Sequence, residues 1–241
     1  MRPPEKPPTP PGHRPLPTLA TLLPLIVFLE VALLIDGTDS SASRILAHTQ
    51  IGNALSFFGL SPIFVMHATS LLVLTTLLSW HLLVRDRWSL SPAAPAQLFF
   101  EGVIGTAPLL AAAAFLGTLQ AYPLSATALE PASIMDAVAI AIGASLSEEL
   151  LFRMIGIAAV HWLLVDVMKT KAATGTIAAV LVTSVAFAMY HDPASLPAGG
   201  IAFVTLAGAY LGTLYVLRGF AVAVIAHAGY DVVVLLGQLS G

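Results

Sequence analysis

IMDAVAIAIGASLSEELLFRMIGIAAVHWLL, residues 134–164, is apolar for the length of a membrane crossing yet carries Glu148, Glu149 and Arg153 at its middle. A hydrocarbon core about 30 Å thick takes about 20 apolar residues to span as a helix. A carboxylate inside it costs roughly 2.5 kcal/mol or more. Three ionisable groups within six positions therefore need partners, water or a chemical purpose, and the first reading is a functional site. The competing reading is a buried ion-pair network that only holds helices in register.

Working outward, the rest of the chain has the same character. Hydrophobic residues make up 57% of the 241 and charged ones 10%, against about 25% charged in soluble domains. About seven apolar runs reach spanning length: Thr18–Ile35, Ile63–Val84, Leu98–Leu119, Ile134–Leu164, Ala173–Tyr190, Ile201–Leu217 and Phe220–Leu236. Ile45–Leu60 is less apolar and broken by Gly52 and Gly59, and reads as an interfacial or packing segment. The expected fold is all-α, a polytopic membrane helix bundle.

Lys and Arg in short loops stay in the cytoplasm. With the N-terminus inside, Arg2, Lys6, Arg14, Arg85, Arg87, Lys169, Lys171 and Arg218 all fall on that face, leaving Arg44 outside and Arg153 within a span. A multi-pass protein of the cell membrane with a cytoplasmic N-terminus is expected. Residues 1–17 hold eight prolines and read as a disordered cytoplasmic arm. The run after it has no convincing cleavage site, so it reads as a retained helix rather than a signal peptide. The chain has no cysteine, which excludes disulfides, thiolate metal sites and a cysteine nucleophile. The net charge of −3 gives no indication of nucleic acid, and there is no internal repeat.

Residues four apart share a helix face, and Glu before Arg at that spacing is the favoured order, so Glu149 and Arg153 are expected to pair. Glu148, about 100° around the axis, is left to face a cavity. In the fifth span Phe187 and His191 share a face. In the last, His227 and Asp231 stand at i and i+4 and should point into the bundle, because lipid offers no hydrogen-bond partner.

The set Glu-Glu-x-x-x-Arg (Glu148, Glu149, Arg153), Phe-x-x-x-His (Phe187, His191) and His-x-x-x-Asn/Asp (His227, Asp231) resembles the CPBP family, the CAAX-protease and bacteriocin-processing (ABI) intramembrane proteases that include the type II prenyl-protein endopeptidases. Leu214–Phe220 is similar to the turn before the last family motif. The likeness covers about Asp136 to Asp231 and implies a catalytic core over residues 133–241, with residues 18–132 as accessory N-terminal transmembrane helices. It implies hydrolysis of a peptide bond near the C-terminus or membrane-proximal part of a protein or peptide, reached from the bilayer. Glu148 would take a proton from water, His191 would position that water, and His227 with Asp231 would stabilise the tetrahedral oxyanion. Glu149, Arg153 and Phe187 would be supporting residues. Asp231 donates a hydrogen bond only when protonated, so it is open to a second role, orienting His227 or joining a metal site. The family is described both as metalloproteases and as glutamate-dependent proteases. Glu148, His191 and His227 are a candidate ligand set for one divalent ion such as Zn²⁺, with a metal-independent chemical step favoured. Prenylated tails, bacteriocin-type peptides and C-terminal sorting signals all stand as substrate classes.

One feature of the spans conflicts with convergence. His227 lies nine residues past Arg218, about 13 Å along a helix, whereas His191 follows about 27 Å of span. Pro193, Pro197, Gly199 and Gly200 are expected to break the helix after His191 and line a polar cavity. Gly208 and Gly212 read as a close-packing pair. His48, His67, His81 and His161 lack an acidic partner at useful spacing and read as packing or interfacial residues. Glu30 and Glu101 read as residues near span edges, with Glu30 also able to line the cavity. Two rivals stand from other classes: a rhomboid-like serine protease using Ser145, and a proton-coupled membrane transporter relaying protons through Glu148, Arg153 and the histidines.

Overall fold

The computed structural model describes residues 10–36, 59, 62–117, 131–191, 196 and 198–239. They form α1 (Pro15–Asp36), α2 (Pro62–Val84), α3 (Ala93–Phe115), α4 (Ile134–Val167), α5 (Ala172–Tyr190), α6 (Ala198–Arg218) and α7 (Phe220–Leu239). All seven are long and apolar enough to cross a membrane, and the described chain is all-helical. Their lipid-facing sides expose Leu34, Leu83, Ile104, Phe115 and Met189, a surface that water would not tolerate in such quantity. The segment read as interfacial, Ile45–Leu60, lies outside the described residues apart from Gly59.

The largest boundary shift is in α3, which starts at Ala93 and stops at Phe115 rather than spanning Leu98–Leu119. Hydropathy marks where lipid begins, not where helix begins. The extra first turn carries Gln97, which donates to Glu101 one turn on at 2.8 Å, and Glu101 also accepts from Arg218 at 3.0 Å.

α7 is the central helix, with 72% of its apolar window buried in protein, and it packs against α3, α4 and α6. Small residues permit this, as membrane helices gain from backbone approach rather than from hydrophobic transfer. A Cβ at Gly102 of α3 would lie 2.5 Å from Ile225 Cβ, and one at Gly229 would lie 2.4 Å from Thr106 Oγ1.

Residues 10–17 correct the expected extent of the disordered arm. Pro11–His13 form a 3-10 turn and α1 begins at Pro15; proline is compatible with a first helical turn, where its missing N–H has no partner to lose. Arg14 donates to Asp86 at 3.0 and 3.2 Å, and this hydrogen-bonded guanidinium holds the Asp86 carboxyl below the usual carboxylate range. His13 Nε2 stands 3.4 Å from the Leu217 carbonyl oxygen. The bundle end that carries Arg14, Asp86, Glu101 and Arg218 is thus tied together by the start of α1. Gly219 makes the α6–α7 turn in a single residue at φ +94, and a Cβ there would fall 1.9 Å from the Gly12 carbonyl oxygen. Gly219→Ala is expected to destabilise the protein by about 1–2 kcal/mol from backbone strain alone, with more from displacement of Gly12. A melting temperature in detergent unchanged from wild type would contradict this.

Candidate active site

α4 sets the geometry. Its start is capped by Ser133, whose Oγ accepts from the Asp136 amide at 3.1 Å, and it runs as α-helix to Glu149 before widening into a π-helical stretch over Leu150–Ile157. Widened turns of this kind gather at functional sites because they re-aim side chains. Here the change begins at the residue after the two glutamates.

Glu149 and Arg153 pair as expected, Oε2 to Nε at 3.2 Å, and both are buried. The guanidinium also donates to the Gly208 carbonyl at 3.3 Å and lies 4.3 Å from the Phe187 ring centroid. Desolvated contacts of that type contribute about 2 kcal/mol. Glu149 Oε1 in turn accepts from His227 Nδ1 at 2.8 Å. Glu149 therefore joins Arg153 to His227 and fixes the imidazole ring, a role open in the sequence reading to Asp231.

Glu148 faces the other way, into the space between the histidines. Its Oε2 lies 3.9 Å from His191 Nε2 and 3.9 Å from His227 Nε2, and neither of its oxygens accepts a hydrogen bond from the described residues. His191 Nδ1 contacts the Phe187 carbonyl oxygen at 2.7 Å; a carbonyl only accepts, so Nδ1 carries the hydrogen and Nε2 presents a lone pair to Glu148. His227 Nε2 faces Glu148 and also Asp231 Oδ2, at 3.5 Å. Glu148, Glu149, Asp231 and Arg153 are all at most 1% exposed, and three carboxylates against one guanidinium leave a deficit of positive charge beside the His227 ring.

Side-chain direction helps His191 reach Glu148. Helical Cβ atoms lean toward the helix start. His191, at the C-cap of α5, hangs back along that helix, while Glu148 in antiparallel α4 leans toward it. Helix stops at Tyr190, directly before His191, as expected, and resumes at Ala198; Gly199 and Gly200 lie in the first turn of α6 rather than in the interruption, while Pro193 and Pro197 fall outside the described residues.

Outside this cluster, His67 is ion-paired to Glu30 across α1 and α2, which corrects its reading as a histidine without an acidic partner. The pairing crosses between helices, so sequence spacing does not reveal it. His81 packs edge-on against Trp88 at 4.1 Å, and His48 lies outside the described residues. Gly208 and Gly212 pack closely as read, toward Ser184 and Val180.

Residues 130–233 match the family model described as Rce1-like, type II CAAX prenyl endopeptidase. Over that segment the chain is similar to the Rce1-like family. Nothing among curated proteins or among solved structures matches the chain. The Rce1-like segment runs from just before α4 into the last turns of α7, so it holds all seven motif residues and leaves α1–α3 outside. The likeness is to a peptidase family, and the seven apolar helices suit a multi-pass membrane setting. The rhomboid reading finds no support in the Rce1-like geometry: the Ser145 hydroxyl donates to its own helix at the Ile142 carbonyl, 3.0 Å away. For a metal ion, the donor types are suitable, but among the described residues no three His, Asp or Glu side chains are arranged to hold one, and no step below is routed through it.

Sequence reasoning missed three neighbours of the candidate cluster. Phe152 stacks edge-on against Phe187 at 5.2 Å and against Tyr190 at 5.4 Å, the Gly208 carbonyl takes a proton donor from Arg153, and Tyr190 lies beside His191. Only the tyrosine left a signal, a phenol adjoining the motif histidine.

Proposed function

We propose that the Rce1-like domain is an intramembrane endopeptidase in which Glu148 is the base that activates water. The observation that carries this is one carboxylate oxygen 3.9 Å from the Nε2 atoms of two histidines on two other helices. That spacing is too long for direct hydrogen bonds and suits an intervening water. Glu148 takes a proton from the water as its oxygen bonds to the scissile carbonyl carbon. His191 Nε2 accepts from the same water and orients it. The carbonyl π electrons move onto oxygen, and a hydrogen on His227 Nε2, beside Asp231, hydrogen-bonds to that oxyanion without leaving the ring. Collapse of the intermediate breaks the C–N bond, and the proton on Glu148 passes to the leaving nitrogen.

The proposed substrate is a protein or peptide tail presented from the bilayer or its surface: a prenylated C-terminus, a bacteriocin-type peptide or a sorting signal. The proposed setting is the cell membrane, with the Arg14 and Arg218 end cytoplasmic by the positive-inside rule. Purified full-length protein in detergent, incubated with one peptide of each class in H₂¹⁸O, should yield products by mass spectrometry with a single ¹⁸O at the new C-terminus. Cleavage should persist in a chelator; loss that Zn²⁺ restores would assign the metal instead. Absence of cleavage for every class, together with proton-coupled flux in proteoliposomes, would overturn the hydrolase reading in favour of a transporter.

A further inference from the structure

We propose that the Tyr190 hydroxyl is a catalytic hydrogen-bond donor of this site, directed at the substrate carbonyl oxygen that becomes negative during hydrolysis. The proposal rests on the hydrolase reading above and assigns a residue to which no motif gives a role.

Oxyanion stabilisation needs donors already in place, and most donors near Glu148 are committed. Arg153 is held by Glu149, the Gly208 carbonyl and the Phe187 ring. The Nδ1 hydrogens of His191 and His227 go to the Phe187 carbonyl and to Glu149. Ser147 and Ser184 donate to carbonyls of their own helices at 2.6 and 2.5 Å. Where an amide would offer a neutral N–H, this chain has Asp231, which donates only while protonated. Arg153 Nη1 and His227 Nε2 also lack a hydrogen-bond partner among the described residues, but both belong to the ionisable cluster around Glu149 and Asp231; Tyr190 is a neutral donor. Its hydroxyl oxygen is buried and has no hydrogen-bond partner among the described residues.

Its position suits the task. The ring meets His191 edge-on at 5.6 Å and Phe152 edge-on at 5.4 Å, and Phe152 follows Glu148 by four residues on α4. The Glu148 carboxylate is close enough to act electrostatically on the phenol. A buried phenol left unsatisfied costs about 1–3 kcal/mol, so a partner that arrives with the substrate accounts for its retention here. During attack the phenol keeps its proton: it only hydrogen-bonds to the oxygen that receives the carbonyl electron pair, while Glu148 carries the proton taken from water.

The test is Tyr190→Phe in the full chain, assayed on whichever tail peptide the wild type cleaves. Loss of one oxyanion donor lowers kcat by about 10²–10³-fold; KM should stay at the wild-type value and melting temperature should hold or rise, since the aromatic packing is unchanged and an unsatisfied buried hydroxyl is removed. Adding Asp231→Asn supplies a neutral amide donor next to His227 and should recover part of the lost kcat. A Tyr190→Phe enzyme with kcat within about threefold of wild type overturns the proposal, as does a loss confined to KM or one that tracks a fall in melting temperature. If the phenylalanine variant fails to accumulate, 3-fluorotyrosine at position 190, a stronger donor of the same shape, should raise kcat at constant KM, and an unchanged kcat overturns the proposal. A dead Glu148→Gln beside a fully active Tyr190→Phe sinks only this proposal. Wild-type cleavage by Glu148→Gln sinks the hydrolase reading itself.

Discussion

Glu148→Gln should abolish measurable cleavage, lowering kcat by up to about 10⁴-fold, the upper end of what a positioned base contributes, while leaving the fold intact. Glutamine keeps the shape and one acceptor oxygen but cannot take a proton from water. Neither Glu148 oxygen accepts a hydrogen bond from the described residues, so the swap breaks no protein contact of that kind. It also removes one buried negative charge from a cluster with three carboxylates and one guanidinium, which favours folding. Melting temperature should therefore hold or rise as activity disappears. A purely structural ion-pair network makes the opposite prediction, a drop in stability. Cleavage by mass spectrometry and thermal unfolding in the same detergent separate the two, with Ser145→Ala as an active control. Wild-type turnover in Glu148→Gln would end the proposed mechanism.

The second large effect is on stability. Arg153→Met should cost about 3–5 kcal/mol, because it leaves the Glu149 carboxylate buried without its partner, a large share of a typical total of about 5–15 kcal/mol. The guanidinium also covers the Phe187 ring and satisfies the Gly208 carbonyl, so α4, α5 and α6 loosen together. Low yield from membranes and a markedly lower melting temperature are expected. Adding Glu149→Gln should restore part of the loss, since the orphaned charge goes and the amide oxygen still accepts from His227 Nδ1. An Arg153→Met protein that melts with wild type would show that the Glu149–Arg153 pair does not hold these helices.

Much of this site was legible before any coordinates. The i, i+4 spacing of Glu149 and Arg153 is a property of one helix, so their pairing followed from order alone; the actual 3.2 Å contact agrees. The separation of Glu148 from Glu149 followed from the same periodicity. What spacing does not carry is any contact between helices. Glu149 rather than Asp231 holds His227 Nδ1, His67 finds Glu30, and Tyr190 sits among Phe152 and His191, because helix register and rotation decide which side chains meet. The proline-rich start misled for a related reason: proline count forecasts poor helix interiors, whereas residues 10–17 are ordered by contacts to Leu217, Gly219 and Asp86 that lie far away in the chain.

By itself the order of residues determined seven apolar crossings and placed charges at the centre of one of them, since bilayer thickness and the cost of a buried carboxylate act on local composition. Tertiary structure alone decided that α4, α5 and α7 bring Glu148 within 3.9 Å of two imidazoles. The physical reason is that small residues such as Gly102, Gly208 and Gly229 let backbones close to a specific register, and the widened turns after Glu149 aim Arg153 across the bundle; both are settled by packing among helices, which no single segment encodes.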